Sequence, residues 1–195
     1  MKLNLVDADI QYISNWLDQG TADDLYSCLK AELAWHQGDV LVFGKWHKTP
    51  RLQAFHGDPG LGYAYSGKAL DPQPWTPALN QIRAKLAEIQ LYPNVMLGNW
   101  YRDGNDKMGW HRDNEPELGR NPIVISLSFG ASRDFHLRHV ETKQRETINL
   151  GHGSLLIMGG TSQHFWEHQL PQRKRVHDGR INLTFRTIFA PEQSN

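Results

Sequence analysis

The chain of 195 residues carries 21 basic and 21 acidic side chains, so no global positive field draws it to nucleic acid and any such binding must be local. Its length and 39% hydrophobic content suit one domain with a sizeable core, and its one cysteine, Cys28, excludes an internal disulfide and a cysteine-rich metal or cluster site, which fits a reducing compartment. The opening MKLNLVDADIQYISNW holds no signal-like apolar run, and no stretch reaches the ~18 consecutive apolar residues of a membrane span; a soluble monomer without a membrane partner is expected, cytoplasmic by preference or nuclear in a eukaryote.

In chain order, Thr21-Ala22-Asp23-Asp24 resembles a capping box, and Leu25, Cys28, Leu29 and Leu33 follow at helical spacing, which predicts a short amphipathic helix. Residues 40–67, rich in Gly, Pro and aromatics, read as hairpins and loops. A second helix is predicted from Thr76 as N-cap and Pro77 at the first helical position, with Leu79, Ile82, Leu86 and Ile89 as its apolar stripe. From Val95 onward short β-like runs dominate: VMLGNWY, IVISLSF, DFHLRH, SLLIM and INLTFRTIF, separated by turn-forming segments such as RDGND and GHGS. Short strands without intervening helices favour an antiparallel barrel or jelly roll over a parallel α/β sheet.

Among ten histidines, spacing has to choose the ligands. His111-Arg112-Asp113 is an H-x-D, which places an imidazole and a carboxylate on one side of an extended backbone. His168 from a distant strand would complete a 2-His-1-carboxylate triad, leaving positions open for a bidentate oxo-acid and dioxygen. A second H-x-D, His56-Gly57-Asp58, runs into Pro59-Gly60 and reads as a turn whose Asp caps backbone amides. His164-Phe165-Trp166-Glu167-His168 spells the inverted zincin pattern H-x-x-E-H, but that chemistry needs a helix, and a segment between Gly159-Gly160 and Pro171 leaves little room for one.

Arg180-Ile181-Asn182-Leu183-Thr184-Phe185-Arg186 alternates without a break. Period two puts Arg180, Asn182, Thr184 and Arg186 on one face and the apolar residues on the other. A polar strand face is ordinarily solvated. Two arginines bracketing Asn and Thr also suit a dicarboxylate, because guanidinium forks bind carboxylates bidentately. Asn99 and Tyr101, on one face of the strand leading toward His111, offer further hydrogen bonds.

Taken together, Asn99/Tyr101, His111/Asp113/Glu115, His168/Pro171 and Arg180/Asn182/Thr184/Arg186 spell N-x-Y, H-x-D-x-E, H-x-x-P and R-x-N-x-T-x-R. This order resembles the AlkB family of Fe(II)/2-oxoglutarate-dependent nucleic-acid dioxygenases. The resemblance extends to VFGKWH (42–47), PR (50–51), the 57–67 segment, ISLSFGASRDFHLRH and GHGSLLIM. It is nearest to the AlkB homologue 2 branch, which acts on double-stranded DNA, and departs from it at Asn114, where a second acidic residue is expected.

The resemblance implies a mainly β, α+β chain: a double-stranded β-helix over about 90–190, a nucleotide-recognition lid over about 40–70, and a helical extension over about 1–40. It implies catalytic iron(II) on His111, Asp113 and His168, with 2-oxoglutarate and dioxygen as cosubstrates. Asn99, Tyr101, Arg180, Asn182 and Thr184 would bind 2-oxoglutarate, with Arg186 at the end nearer iron. Phe43 would fill the gap left by a flipped base and Tyr65 would stack on that base, with Arg51, Tyr63 and Ser66 also on the substrate side and Glu115 facing the base edge. Base flipping needs such a wedge, stacking aromatic and polar edge-reader. Read on their own, Phe43 is a core aromatic, Tyr65 a packing residue, and Glu115 a solvated carboxylate or a partner of Arg112. Lys45, Lys48, Arg51 and Arg173-Lys174-Arg175 are the local cations available for phosphates.

The implied reaction is oxidative demethylation of 1-methyladenine and 3-methylcytosine in single- or double-stranded methylated DNA, with release of succinate and formaldehyde. The alternatives are a dioxygenase of the same fold acting on RNA, protein or a small molecule, and a jelly-roll binding module without turnover.

Overall fold

The computed structural model describes residues 1–42, 44–61, 63–65 and 68–189. Six antiparallel strands build a major sheet: β1 (Asp9–Ile13), β4 (Leu52–Gly57), β7 (Val95–Tyr101), β9 (Val124–Gly130), β12 (Ser154–Gly159) and β14 (Arg180–Arg186), in the order β1-β12-β9-β14-β7-β4. A minor sheet is ordered β11-β10-β13-β8, from β8 (Met108–His111), β10 (Arg133–His139), β11 (Arg145–Leu150) and β13 (Trp166–Leu170). Two hairpins, β2 (Asp39–Val42) with β3 (Lys45–Lys48) and β5 (Tyr63–Tyr65) with β6 (Lys68–Leu70), lie on either side of β4 in the chain. The expected jelly roll is present. The segment expected as a lid is not one piece, because β4 between its hairpins is the edge strand of the major sheet.

Period-two alternation decides what each face of the major sheet meets. Ile125, Leu127 and Phe129 of β9 and Ile181, Leu183 and Phe185 of β14 share a core with Leu25 and Leu29 of α1 (Gln19–Glu32) and Leu79, Ile82 and Leu86 of α2 (Pro77–Glu88). The other face is closed by the minor sheet through Tyr101, Phe135, Leu137, Leu150, Met158 and Leu170. The side chains read as candidate ligands, His111, Asp113 and His168, line a cavity with residues of both sheets. Trp35 packs so tightly on β7 that a Cβ at Gly98 would lie 3.0 Å from its ring, so any larger residue there would push the indole aside.

Several local expectations shift. The cap of α1 is Asp18, whose carboxylate accepts from the Thr21 amide and hydroxyl; Thr21 lies inside the helix. The buried stripe is Ala22, Leu25 and Leu29, continued by Leu33, while Cys28 is exposed. In α2, Thr76 caps the Leu79 amide as read, but Ile89 is the exposed C-cap. The N-terminal extension contributes an edge strand as well as a helix, since β1 pairs with β12. Among the described residues the Asp58 carboxylate caps no helix or turn amide; it accepts from the Trp75 indole at 2.7 Å and faces Arg83 at 3.5 Å. Among the described residues, no helix is long and apolar enough to cross a membrane.

Candidate metal centre and cosubstrate pocket

His111 ends β8, and the minor sheet pairs it directly with His168 of β13, bringing the two rings to 4.2 Å between centroids. Asp113 follows on a segment outside any strand and is 2% exposed. One donor atom from each of His111, Asp113 and His168 can be chosen so that all three lie within 4.8 Å of one another. The Nδ1 of His111 meets the Gly109 carbonyl at 2.9 Å; donation there leaves Nε2 with its lone pair facing inward. His168 sets Nε2 3.9 Å from Asp113 Oδ2.

The electrostatics suit a divalent metal. Burial lowers the pKa of both imidazoles, and for His168 the loss of hydration, reinforced by His111 and Arg186, takes it to about 3. Burial works against the Asp113 carboxylate, yet the Arg186 guanidinium, by its charge and its hydrogen bond, holds the pKa below the ordinary value. Two neutral imidazoles and an ionised carboxylate are the protonation states that metal binding requires, and the donor set fits non-haem iron(II).

The polar face of β14 is buried rather than solvated: Arg180, Asn182, Thr184 and Arg186 are each under 9% exposed and line one cavity with the three candidate ligands. Strand β7 lies alongside, with Asn182 opposite Asn99 and Arg180 opposite Tyr101. Arg186 donates to Asp113 Oδ1 at 2.8 Å. Asn182 donates to Ser126 Oγ and the Leu127 carbonyl and accepts from Thr184. At the far end Arg180 donates to Ser128 Oγ at 2.9 Å and lies over the Tyr101 ring at 5.5 Å, with no partner for its Nε. Among the described residues no carboxylate pairs with Arg180. Burial lowers it to about 10, so it stays a cation at neutral pH.

His111, Met108 and Leu97 also line a second, outer cleft of about 700 Å³, within the ~300–1,000 Å³ range of ligand pockets. Arg51 and Glu115 both line it. Arg51 is buried and donates to Asn99 Oδ1 at 2.7 Å, so it joins the wall of the outer cleft to that of the inner pocket. Glu115 has a buried Oε2 with no hydrogen-bond partner among the described residues, and its neighbour Arg112 donates to the His164 carbonyl. Tyr63 and Tyr65 belong to the backbone of β5, and their side chains lie outside the described residues, as do Phe43 and Ser66. Arg173 of the basic run is held by Asp134 and His136.

The inverted zincin pattern does not form a site. Its first histidine lies in a single turn, α3 (Ser162–Phe165), and its second in β13, and His164 turns to the Arg120 carbonyl and Asn121. Sequence reasoning missed Ser126 and Ser128, the partners of Asn182 and Arg180, although their period-two spacing in β9 places both on its inner face. It also missed Gln163, for which no local signal exists.

The profile of the 2OG-Fe(II) oxygenase superfamily matches residues 9–186. The chain is 44% identical over 181 residues to DNA oxidative demethylase ALKBH2 of Mus musculus, covering 86% of this chain and 75% of that protein. It is 43% identical to the Homo sapiens ALKBH2, covering 86% and 69%. Against alpha-ketoglutarate-dependent dioxygenase alkB homolog 3 of Bos taurus it is 37% identical over 185 residues, covering 89% and 64%. The fold is similar to the solved OsALKBH1, with a TM-score of 0.63 at 19% identity, covering 91% of this chain and 97% of that one. The chain therefore belongs to the 2OG-Fe(II) oxygenase superfamily and is an iron(II)- and 2-oxoglutarate-dependent dioxygenase.

Proposed function

We propose that the chain repairs alkylated DNA by oxidative demethylation, with His111, Asp113 and His168 holding iron(II) and Arg180 anchoring the distal carboxylate of 2-oxoglutarate. The observation that carries this reading is Arg180: a guanidinium 2% exposed and without a carboxylate partner among the described residues, in the cavity that holds the His-Asp-His cluster. A buried cation is costly unless an anion compensates it, and a dicarboxylate spanning from Arg180 towards the metal end supplies that anion. The relatives named DNA oxidative demethylase carry the substrate assignment.

Iron(II) with bound 2-oxoglutarate and dioxygen supplies oxidative decarboxylation to succinate and carbon dioxide coupled to hydroxylation of an N-methyl group, whose hydroxymethyl product then loses formaldehyde. The chain's residues set the conditions. Arg180, Tyr101 and Asn99 would fix the distal end of the cosubstrate, with Ser128 holding the Arg180 guanidinium, while Arg186 keeps Asp113 ionised and oriented. Leu97, Phe135, Leu150, Met158 and Leu170 line the pocket with apolar surface, which limits water and strengthens each charge interaction. His111 stands on the wall shared with the outer cleft, so a base in that cleft lies beside the metal. The two hairpins on either side of β4, within residues 40–70, would act as the lid over that cleft, and Phe43, Tyr63, Tyr65 and Ser66 are proposed as its base-handling residues on the motif match alone.

The test is mass spectrometry of single- and double-stranded oligonucleotides carrying 1-methyladenine or 3-methylcytosine, incubated with the chain, iron(II), ascorbate and 2-oxoglutarate. Loss of 14 mass units per lesion, the ~14 Da of one methylene, with matching succinate is the expected result. Succinate without any change in DNA, with turnover on methylated RNA instead, would move the reading to RNA. Glu115→Gln is expected to weaken turnover of these cationic bases by about 10-fold, as loss of one partly screened charge contact of ~1.4 kcal/mol predicts, and to spare neutral lesions. Equal loss on both kinds of lesion would assign Glu115 a packing role.

A further inference from the structure

Asp113 has to be held without a strand. Residues 112–115 follow β8 with no regular structure, and the Asp113 amide finds no backbone acceptor among the described residues. It donates instead to Oε1 of Gln163, at 3.0 Å. Gln163 is 1% exposed, and its Nε2 faces the Met158 sulfur at 3.7 Å, which fixes the amide with its oxygen towards Asp113. One residue along, the bond runs the other way: Arg112 Nη1 donates to the His164 carbonyl at 2.8 Å. Two consecutive residues of the ligand loop are thus clipped to two consecutive residues of α3. That turn leads directly into β13, which carries His168. The turn is itself tied from behind, because Thr161 Oγ1 donates to the Asp7 carbonyl and Ser162 Oγ accepts from the Asp9 amide.

We infer that Gln163 is a positioning residue for the carboxylate ligand, locking Asp113 to the segment that presents His168 so that the two ligands keep one spacing. The inference rests on the metal reading above. Metal sites tolerate errors of only ~0.2 Å in ligand distance, and without Gln163 the hydrogen bond that holds Asp113 among the described residues is the one from Arg186 to its side chain. A glutamine that merely satisfied a buried amide would affect stability and nothing else.

The experiment titrates the full, metal-free chain with Mn(II) by calorimetry and follows the melting temperature in parallel. Gln163→Met keeps the volume and removes the acceptor; it is expected to raise the Mn(II) Kd by about 10–100-fold, the usual cost of losing an outer partner of a metal ligand. Gln163→Glu keeps an acceptor at the same reach and is expected to bind Mn(II) close to the wild-type value. A folded Gln163→Met protein with wild-type Mn(II) affinity overturns the inference, whatever its melting temperature. If that variant fails to fold, Arg112→Met, which cuts the other half of the clip, takes its place with the same expectation, and unchanged affinity there overturns it too. The metal reading fails separately: in that case the wild-type chain would bind no Mn(II) that His111→Ala abolishes.

Discussion

Asp113→Ala is expected to abolish succinate formation from 2-oxoglutarate and to remove Mn(II) binding, a larger loss than the ~10–100-fold that outer partners cause. Three arrangements converge on this side chain. It is the one carboxylate in a cluster whose other donors are neutral imidazoles, so among the described residues of that cluster it supplies the charge that would compensate a divalent ion. It is also the group that Arg186 orients at 2.8 Å, and its backbone is held by Gln163. The substitution carries a folding cost as well, because it takes a buried carboxylate away from Arg186, and breaking a buried ion pair from one side costs roughly 3–5 kcal/mol. His111→Ala separates the two effects. It leaves the Arg186–Asp113 pair in place, so it is expected to lose turnover without that stability loss. Succinate measured by mass spectrometry, together with thermal melts of both metal-free variants, checks the pair of outcomes. Turnover retained in either variant would remove the triad from the mechanism.

What could be read from the sequence and what could not divide along the range of the interactions. The β14 alternation needs only neighbours in the chain, and the structure places its four polar residues on one buried face. The sequence could not say that this face is dry, since that depends on the minor sheet arriving from elsewhere to cover it. The H-x-D was visible locally, but its pairing with His168 depends on the β8–β13 register. The partners that tune the site are just as remote in the chain: Gln163 lies 50 residues from Asp113, Ser128 lies 52 from Arg180, and Arg51 lies 48 from Asn99. No periodicity encodes such pairs. The α1 misreading is different in kind: Thr21 and Asp18 are both good capping residues, and the helix starts from Asp18, directly after Leu17, which packs into the core. Cys28 fell outside the buried stripe because that stripe runs through Ala22, Leu25 and Leu29.

Replacing Arg180 with Met is expected to move activity and stability in opposite directions. The KM for 2-oxoglutarate should rise by on the order of 10²–10³-fold, since truncating one partner of a desolvated charge pair costs ~2–5 kcal/mol and each ~1.4 kcal/mol is tenfold. The metal-free protein should become more stable. Its Arg180 is a buried cation with one hydroxyl and one aromatic face as company, and the desolvation it bears exceeds the ~1 kcal/mol that a hydrogen bond to Ser128 returns. Met fills most of the same volume without that cost. A net gain of ~1–2 kcal/mol corresponds to roughly 2–8 °C for a chain of this size. Melting curves recorded in chelator, set beside KM measured with saturating iron(II), give both numbers from one pair of proteins. A lower melting temperature with an unchanged KM would make Arg180 a strut between β14 and β9 and would place the distal carboxylate elsewhere. The opposite signs are what distinguish a residue retained for its ligand from one retained for the fold: the guanidinium would destabilise the empty pocket by the same desolvation that would make it bind a carboxylate tightly.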